Sequence, residues 1–104
     1  MNLISKDREN IVVERDAEGF YWHPDFPWDE IPEDTNMISY IKSWGYKPYF
    51  ILLEDDNPEL AKKYFELLEF DINLWTPEHP GKGWFLGAIY DTEDGPVALW
   101  MKRK

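Results

Sequence analysis

Apolar positions in this chain come in short runs of strand or helix period, cut apart by proline, glycine and acidic residues. Ile11, Val12 and Val13 are β-branched and predict a strand over 11–15. Asp16, Ala17, Glu18 and Gly19 predict a turn, and Phe20, Tyr21, Trp22 and His23 the returning strand of a hairpin. Pro24, Pro27 and Pro32 each fix φ and remove a donor, so 24–33 is predicted to be irregular. Connections of that length in a small domain are often functional.

Met37, Ile38, Ile41 and Trp44 form one stripe at helical spacing, which predicts a helix over 35–44 with Asp34 as its cap and Gly45 as its stop. Tyr49, Phe50, Ile51, Leu52 and Leu53 make a nearly unbroken apolar run, expected to be a central strand covered on at least one face. A second helix is signalled by Asn57 as cap, Pro58 at the first position and Glu59 at the positive end of the dipole. Leu60, Ala61, Tyr64, Leu67 and Leu68 are its stripe. Residues 76–83 are a Pro/Gly loop. The runs 84–90 and 97–101 read as two strands joined through Asp94 and Gly95, with Pro96 at the start of the second.

The predicted order is β-β-α-β-α-β-β. It implies an α+β fold, a five-stranded mainly antiparallel sheet with two helices packed on one face. Length fits one domain over 1–104, with 1–9 a loosely ordered lead-in. Trp44, Ile51, Leu53, Leu60, Tyr64, Leu67, Phe85 and Ile89 are the expected core, and Leu67→Ala is expected to be strongly destabilising.

Charge changes this picture. The net charge is -10, a value that in an aromatic-poor chain would indicate disorder. Aromatic residues make up 17% of this chain, including six tryptophans, enough for a packed core. The charge is therefore expected on the surface of a folded domain. Between 16 and 41 there is no Lys or Arg but seven acids: Asp16, Glu18, Asp25, Asp29, Glu30, Glu33 and Asp34. Such a surface disfavours direct binding to nucleic acid and to anionic membranes, whose affinity comes from cationic side chains. A basic protein is the expected partner. No apolar run is long enough to span a bilayer and no apolar leader opens the chain, so a cytoplasmic protein is expected.

Candidate chemistry is sparse. Cysteine is absent, which removes disulfides and thiolate metal sites. His23 and His79, each before a proline, could join Asp25, Asp29 or Glu78 around a metal, but their spacing fits no ligand pattern. Neither a metal nor a cofactor is expected. Adjacent carboxylates (Asp29/Glu30, Asp55/Asp56, Glu93/Asp94) do not report the cross-cleft geometry that a hydrolase needs. Asp91, Glu93 and Asp94 are better explained by a tight hairpin turn than by a calcium loop. No nucleophile motif and no phosphate-cradling glycine loop is present.

The stretch 22–34 stands out because aromatics and acids interleave on a proline-stiffened loop. Trp22, Asp25, Phe26, Trp28, Asp29 and Glu30 are the expected binding residues, with the indoles as anchors. The competing expectation is that Phe26, Trp28 and Ile31 fold inward as a lid over one end of the core. The sequence therefore points to a non-enzymatic acidic protein-binding module, of which an inhibitor or immunity-type partner of a basic nucleic-acid-binding protein is the sharper form. A small-ligand or carbohydrate binder with exposed Trp22, Trp28 or Trp75 is the alternative, and a carboxylate-dependent hydrolase the remote one.

Overall fold

The computed structural model describes residues 4–104. The fold is α+β, with a four-stranded antiparallel sheet in the order β1-β3-β4-β2. Its strands are β1 (Tyr21–Trp22), β2 (Tyr46–Leu52), β3 (Phe85–Thr92) and β4 (Gly95–Arg103). The helices are α1 (Lys6–Glu9), α2 (Met37–Ser43), α3 (Leu53–Asp56) and α4 (Pro58–Glu66), with one turn of 3-10 helix at Trp28–Glu30.

The expected fifth strand is not formed. The turn after it closes as predicted, since the Asp16 carboxylate accepts the N–H groups of Glu18 and Phe20 at 2.9 Å. Pairing stops there, and Arg15 reaches instead to the turn backbone and the segment at 72–75. Its guanidinium donates to the carbonyls of Gly19, Ile72 and Trp75. Val12 is left 82% exposed, and β1 is only two residues long. β-Branched content raises strand propensity, but a strand also needs a partner edge.

The helices do not share one face. On one side of the sheet α2 packs Tyr40 and Ile41 against Tyr46, Phe85, Leu99 and Met101. On the other, α3 and α4 pack Leu53, Leu60, Ala61 and Tyr64 against Ile89 and Ala98. Side chains alternate across a strand, so two covered faces require a strand apolar at every position. β4 meets that requirement, being buried from Gly95 through Met101.

The run at 49–53, expected as a central strand, lies through Leu52 in the edge strand β2, and Leu53 opens α3. Pro48 has no N–H to give and is tolerated there because only β4 lies beside β2. Helix α2 starts two residues later than expected. Asn36, not Asp34, is its cap and accepts the Ser39 N–H at 2.8 Å. Helix α4 starts as expected, with the Asn57 side chain accepting the Leu60 N–H and Pro58 at the first position.

Of the expected core, Leu53, Leu60, Tyr64, Phe85 and Ile89 are buried, and Trp44 and Ile51 are half-buried. Leu67 is 62% exposed, which removes the expectation of a costly Leu67→Ala. The helix ends at Glu66, one residue before the stripe would have carried Leu67 inward. The expected loose lead-in is docked over its described part; residues 1–3 lie outside the described residues. Ile4 is buried and donates its N–H to the Tyr46 hydroxyl at 2.7 Å. Arg103 holds the same segment through the Glu9 carboxylate and the Ile4 carbonyl.

Candidate functional site

The 22–34 segment lies over the α2 side of the sheet, and its residues divide sharply by role. Trp22 follows Tyr21 on β1 and pairs with Ala88, so its indole emerges on the same face as Tyr90 of β3. The two rings stack with centroids 5.1 Å apart at 27°. Trp28 leans on Trp22 at 5.2 Å, and Phe26 on Trp28 at 4.5 Å. Phe26 continues inward to Tyr40, Trp44 and Tyr46. The result is an aromatic column running from the surface to the core.

Only the top of that column faces solvent. Trp22 is 45% exposed, Trp28 is half-buried, and Phe26 is buried. Phe26 is thus a core residue, and the inward lid describes it and the packed Ile31. The loop is held by its own backbone. The Trp28 indole N–H donates to the His23 carbonyl at 3.1 Å, and the Tyr40 hydroxyl to the Pro27 carbonyl at 3.2 Å.

His23 is buried beneath the loop and serves it as a hub. Its Nε2 lies 3.0 and 3.2 Å from the carbonyls of Arg8 and Glu9, and its Nδ1 accepts the Asp25 N–H at 3.2 Å. Two carbonyls require a donor at Nε2, and an amide requires an acceptor at Nδ1. Both nitrogens are therefore occupied. His79 is exposed on the opposite side of the sheet, with its ring 4.8 Å from Trp100 and its Nδ1 accepting the Gly81 N–H. Among the described residues no three His, Asp or Glu side chains are grouped to hold a metal ion.

The acids of the segment are not equivalent either. Asp25 forms a two-pronged pair with Arg8, at 2.9 and 3.1 Å. That hydrogen-bonded guanidinium holds the Asp25 carboxyl below the usual carboxylate range. Asp16 is consumed by its turn. Asp29 and Glu30 are exposed on the 3-10 turn directly after Trp28, followed by exposed Glu33 and Asp34, and none has an ion-pair partner among the described residues. What remains of the expected site is one exposed indole on a tyrosine, with four free carboxylates on the adjoining loop. Sequence reading missed Tyr90, which ends the 84–90 strand run of which only Phe85 and Ile89 are expected core.

The other acid clusters are structural or scattered. Asp56 accepts the Trp75 indole N–H at 2.8 Å and the Glu78 N–H at 3.1 Å, so Trp75 is 1% exposed and offers no stacking platform. Asp91 accepts the Tyr64 hydroxyl at 2.9 Å. The turn at Glu93 and Asp94 is closed by the Thr92 side chain, which donates to the Gly95 carbonyl and accepts the Asp94 N–H. An open cleft between α3 and α4 brings Glu54, Asp55 and Glu66 to one rim, where Lys62 lies 3.9 Å from Glu66. Among the described residues no helix is long and apolar enough to cross a membrane. Comparison with known proteins yields no match, whether to a family model, a curated protein or a solved structure.

Proposed function

We propose that the chain is a non-enzymatic protein-binding module whose acidic surface meets a basic partner. The observation that carries the reading is the exposed Trp22 indole stacked on Tyr90, beside the turn that presents Asp29 and Glu30. Free carboxylates steer a cationic partner and suppress anionic ones, while a rigid, half-exposed aromatic supplies the anchoring that screened charge lacks. Its sharper form is an inhibitor or immunity-type protein that occupies the nucleic-acid site of a basic protein by imitating phosphate charge. Direct nucleic-acid binding is disfavoured by the same field. A cytoplasmic setting belongs to the proposal. The carbohydrate reading is weaker, because Trp75 is buried and Trp28 half-buried, which leaves Trp22 as the one exposed indole of the three.

Affinity purification from the native cell identifies the partner, and kinetic binding measurements then test the surface. Reversing Asp29 and Glu30 to lysine is expected to slow association by about tenfold at low salt. Trp22→Ala is expected to leave association unchanged and speed dissociation. Equal loss on neutralising Glu54 and Asp55 would mean that only total charge matters, and the loop would lose its role.

A further inference from the structure

A second exposed apolar surface among the described residues lies elsewhere, at the end of α4 and the segment after it. Phe65, Leu67, Leu68, Phe70 and Leu74 are all exposed, Leu74 to 82%. Phe65 and Phe70 both pack edge-on to the Tyr64 ring, at 5.4 and 5.1 Å, and Leu67 and Leu68 lie between them in sequence. Phe70 and Leu74 line one depression of about 380 Å³ with Leu60 and Lys63. Isolated surface leucines need no explanation, but five exposed apolar residues gathered at one helix end mark a candidate interaction surface.

A second observation comes from the backbone. Leu68 has φ +56, the left-handed region, and is the only non-glycine residue there among the described residues. Helix ends take this conformation readily, but glycine is the residue that adopts it without strain. Here a leucine holds it with its side chain in solvent. Conformation and exposure are both unfavourable in the free protein, and a partner that covers the side chain recovers the second.

The rim of the patch selects the partner. Glu66, Glu69 and Asp71 alternate with the apolar residues, and Glu93 and Asp94 stand on the hairpin turn whose Gly95 lies under the Phe65 ring. The nearby cations are Lys62, which faces Glu66, Lys63, and Arg15, which lies near Asp71 and is itself held by backbone carbonyls; the five acids outnumber them. A second copy of this chain would bring the same acid ring onto this one and add another -10 of charge. A partner with an apolar stripe flanked by Lys and Arg complements both features.

We propose that the 65–74 patch is the docking surface for a basic amphipathic helix of a partner protein. This rests on the reading of the chain as a binder of basic proteins and gives that reading a second, apolar contact. The helix lays its leucine-like face across Phe65, Leu68, Phe70 and Leu74, and its cations meet the acidic rim.

The test uses the full chain and two labelled amphipathic peptides with the same leucine face, one carrying lysines on its polar face and the other glutamates. Fluorescence anisotropy is expected to show binding of the lysine peptide alone, weakened by added salt. Leu68→Gly and Leu74→Ser are each expected to weaken it by about tenfold. Leu68→Gly is also expected to raise the melting temperature by about 5 °C through relief of the left-handed strain, which separates lost contact from lost folding. Equal binding of both peptides, or of neither, overturns the proposal. Binding that falls on Asp29 and Glu30 reversal but not in the two leucine variants assigns the peptide to the loop and also overturns it. A dimer in sedimentation that Leu68→Gly dissolves gives the patch to a second copy instead.

Discussion

The loop at 22–34 and the segment at 65–74 are both rich in large apolar residues and acids, yet they bury opposite shares of them. In the loop, Phe26 is buried and Trp28 and Ile31 are packed against the core, leaving Trp22 as the exposed ring. In the segment, Phe65, Leu67, Leu68, Phe70 and Leu74 all remain in solvent. The difference follows from where each chain segment has something to cover. The loop crosses the open end of the α2 side, and its prolines and the His23 hub hold its aromatics against that core. The segment leaves α4 after its buried stripe has already been used by Leu60, Ala61 and Tyr64. Apolar content alone therefore does not separate core from surface; the geometry of the element that carries it does.

The largest effect that would break this contrast lies in the two side chains themselves. Phe26→Ala is expected to cost about 3–5 kcal/mol in denaturant unfolding, the range for truncating a buried phenylalanine. Leu67→Ala is expected to change stability by no more than about 0.5 kcal/mol, as for exposed positions. Similar values for the two would mean that burial has been assigned to the wrong region.

Much of the fold was legible because its signals are local. Asn57 and Pro58 set the start of α4 by capping chemistry, and Asp94 and Gly95 marked the β3–β4 hairpin one residue late, since its turn is Glu93 and Asp94 and Gly95 opens β4. What failed depended on distant partners. The 11–15 strand is absent where Arg15 contacts residues 72 and 75, contacts that no local pattern carries. The second covered face was written in the unbroken apolar run of β4, a signal read as strand but not as two-sided burial. At the candidate site, the acids and Trp22 were readable, whereas the pairing of Asp25 with Arg8 and the stacking of Trp22 on Tyr90 needed three dimensions. The apolar patch was hidden by helical periodicity, which continues through Leu67 and Leu68 although the helix stops at Glu66.

A smaller effect would sharpen how the exposed segment is tethered. Gly95 has φ +97, and a methyl group added there would lie 2.4 Å from the Phe65 ring. Gly95→Ala is expected to cost about 2–3 kcal/mol, part from the left-handed backbone and part from the clash. In a Phe65→Ala background only the backbone part is expected to remain, a coupling that a double-mutant cycle measures. No coupling would mean that Phe65 does not rest on the turn, and the acids of the hairpin would then leave the rim of the patch.

The two regions are also pinned by groups that titrate at opposite ends of the pH scale. The loop is tied by Asp25, whose carboxyl is held low by its hydrogen bonds from Arg8. A depressed carboxylate contributes stability that is present above its unfolded value and lost as pH falls through its folded one, hence in the acid range below about pH 4. Helix α4 is tied by Tyr64, whose hydroxyl is raised from 10.0 to about 12 by burial first and then by its bond to Asp91. A raised phenol contributes stability that is complete below the unfolded value and lost as pH rises toward the folded one. Thermal melts of the wild type, Asp25→Asn and Tyr64→Phe are expected to show this as two separate windows. The advantage of wild type over Asp25→Asn shrinks in acid, while its advantage over Tyr64→Phe shrinks between pH 10 and about 12. Both advantages staying flat across the whole range would show that neither bond tethers its region, and the contrast between a pinned loop and a pinned helix would rest on packing alone.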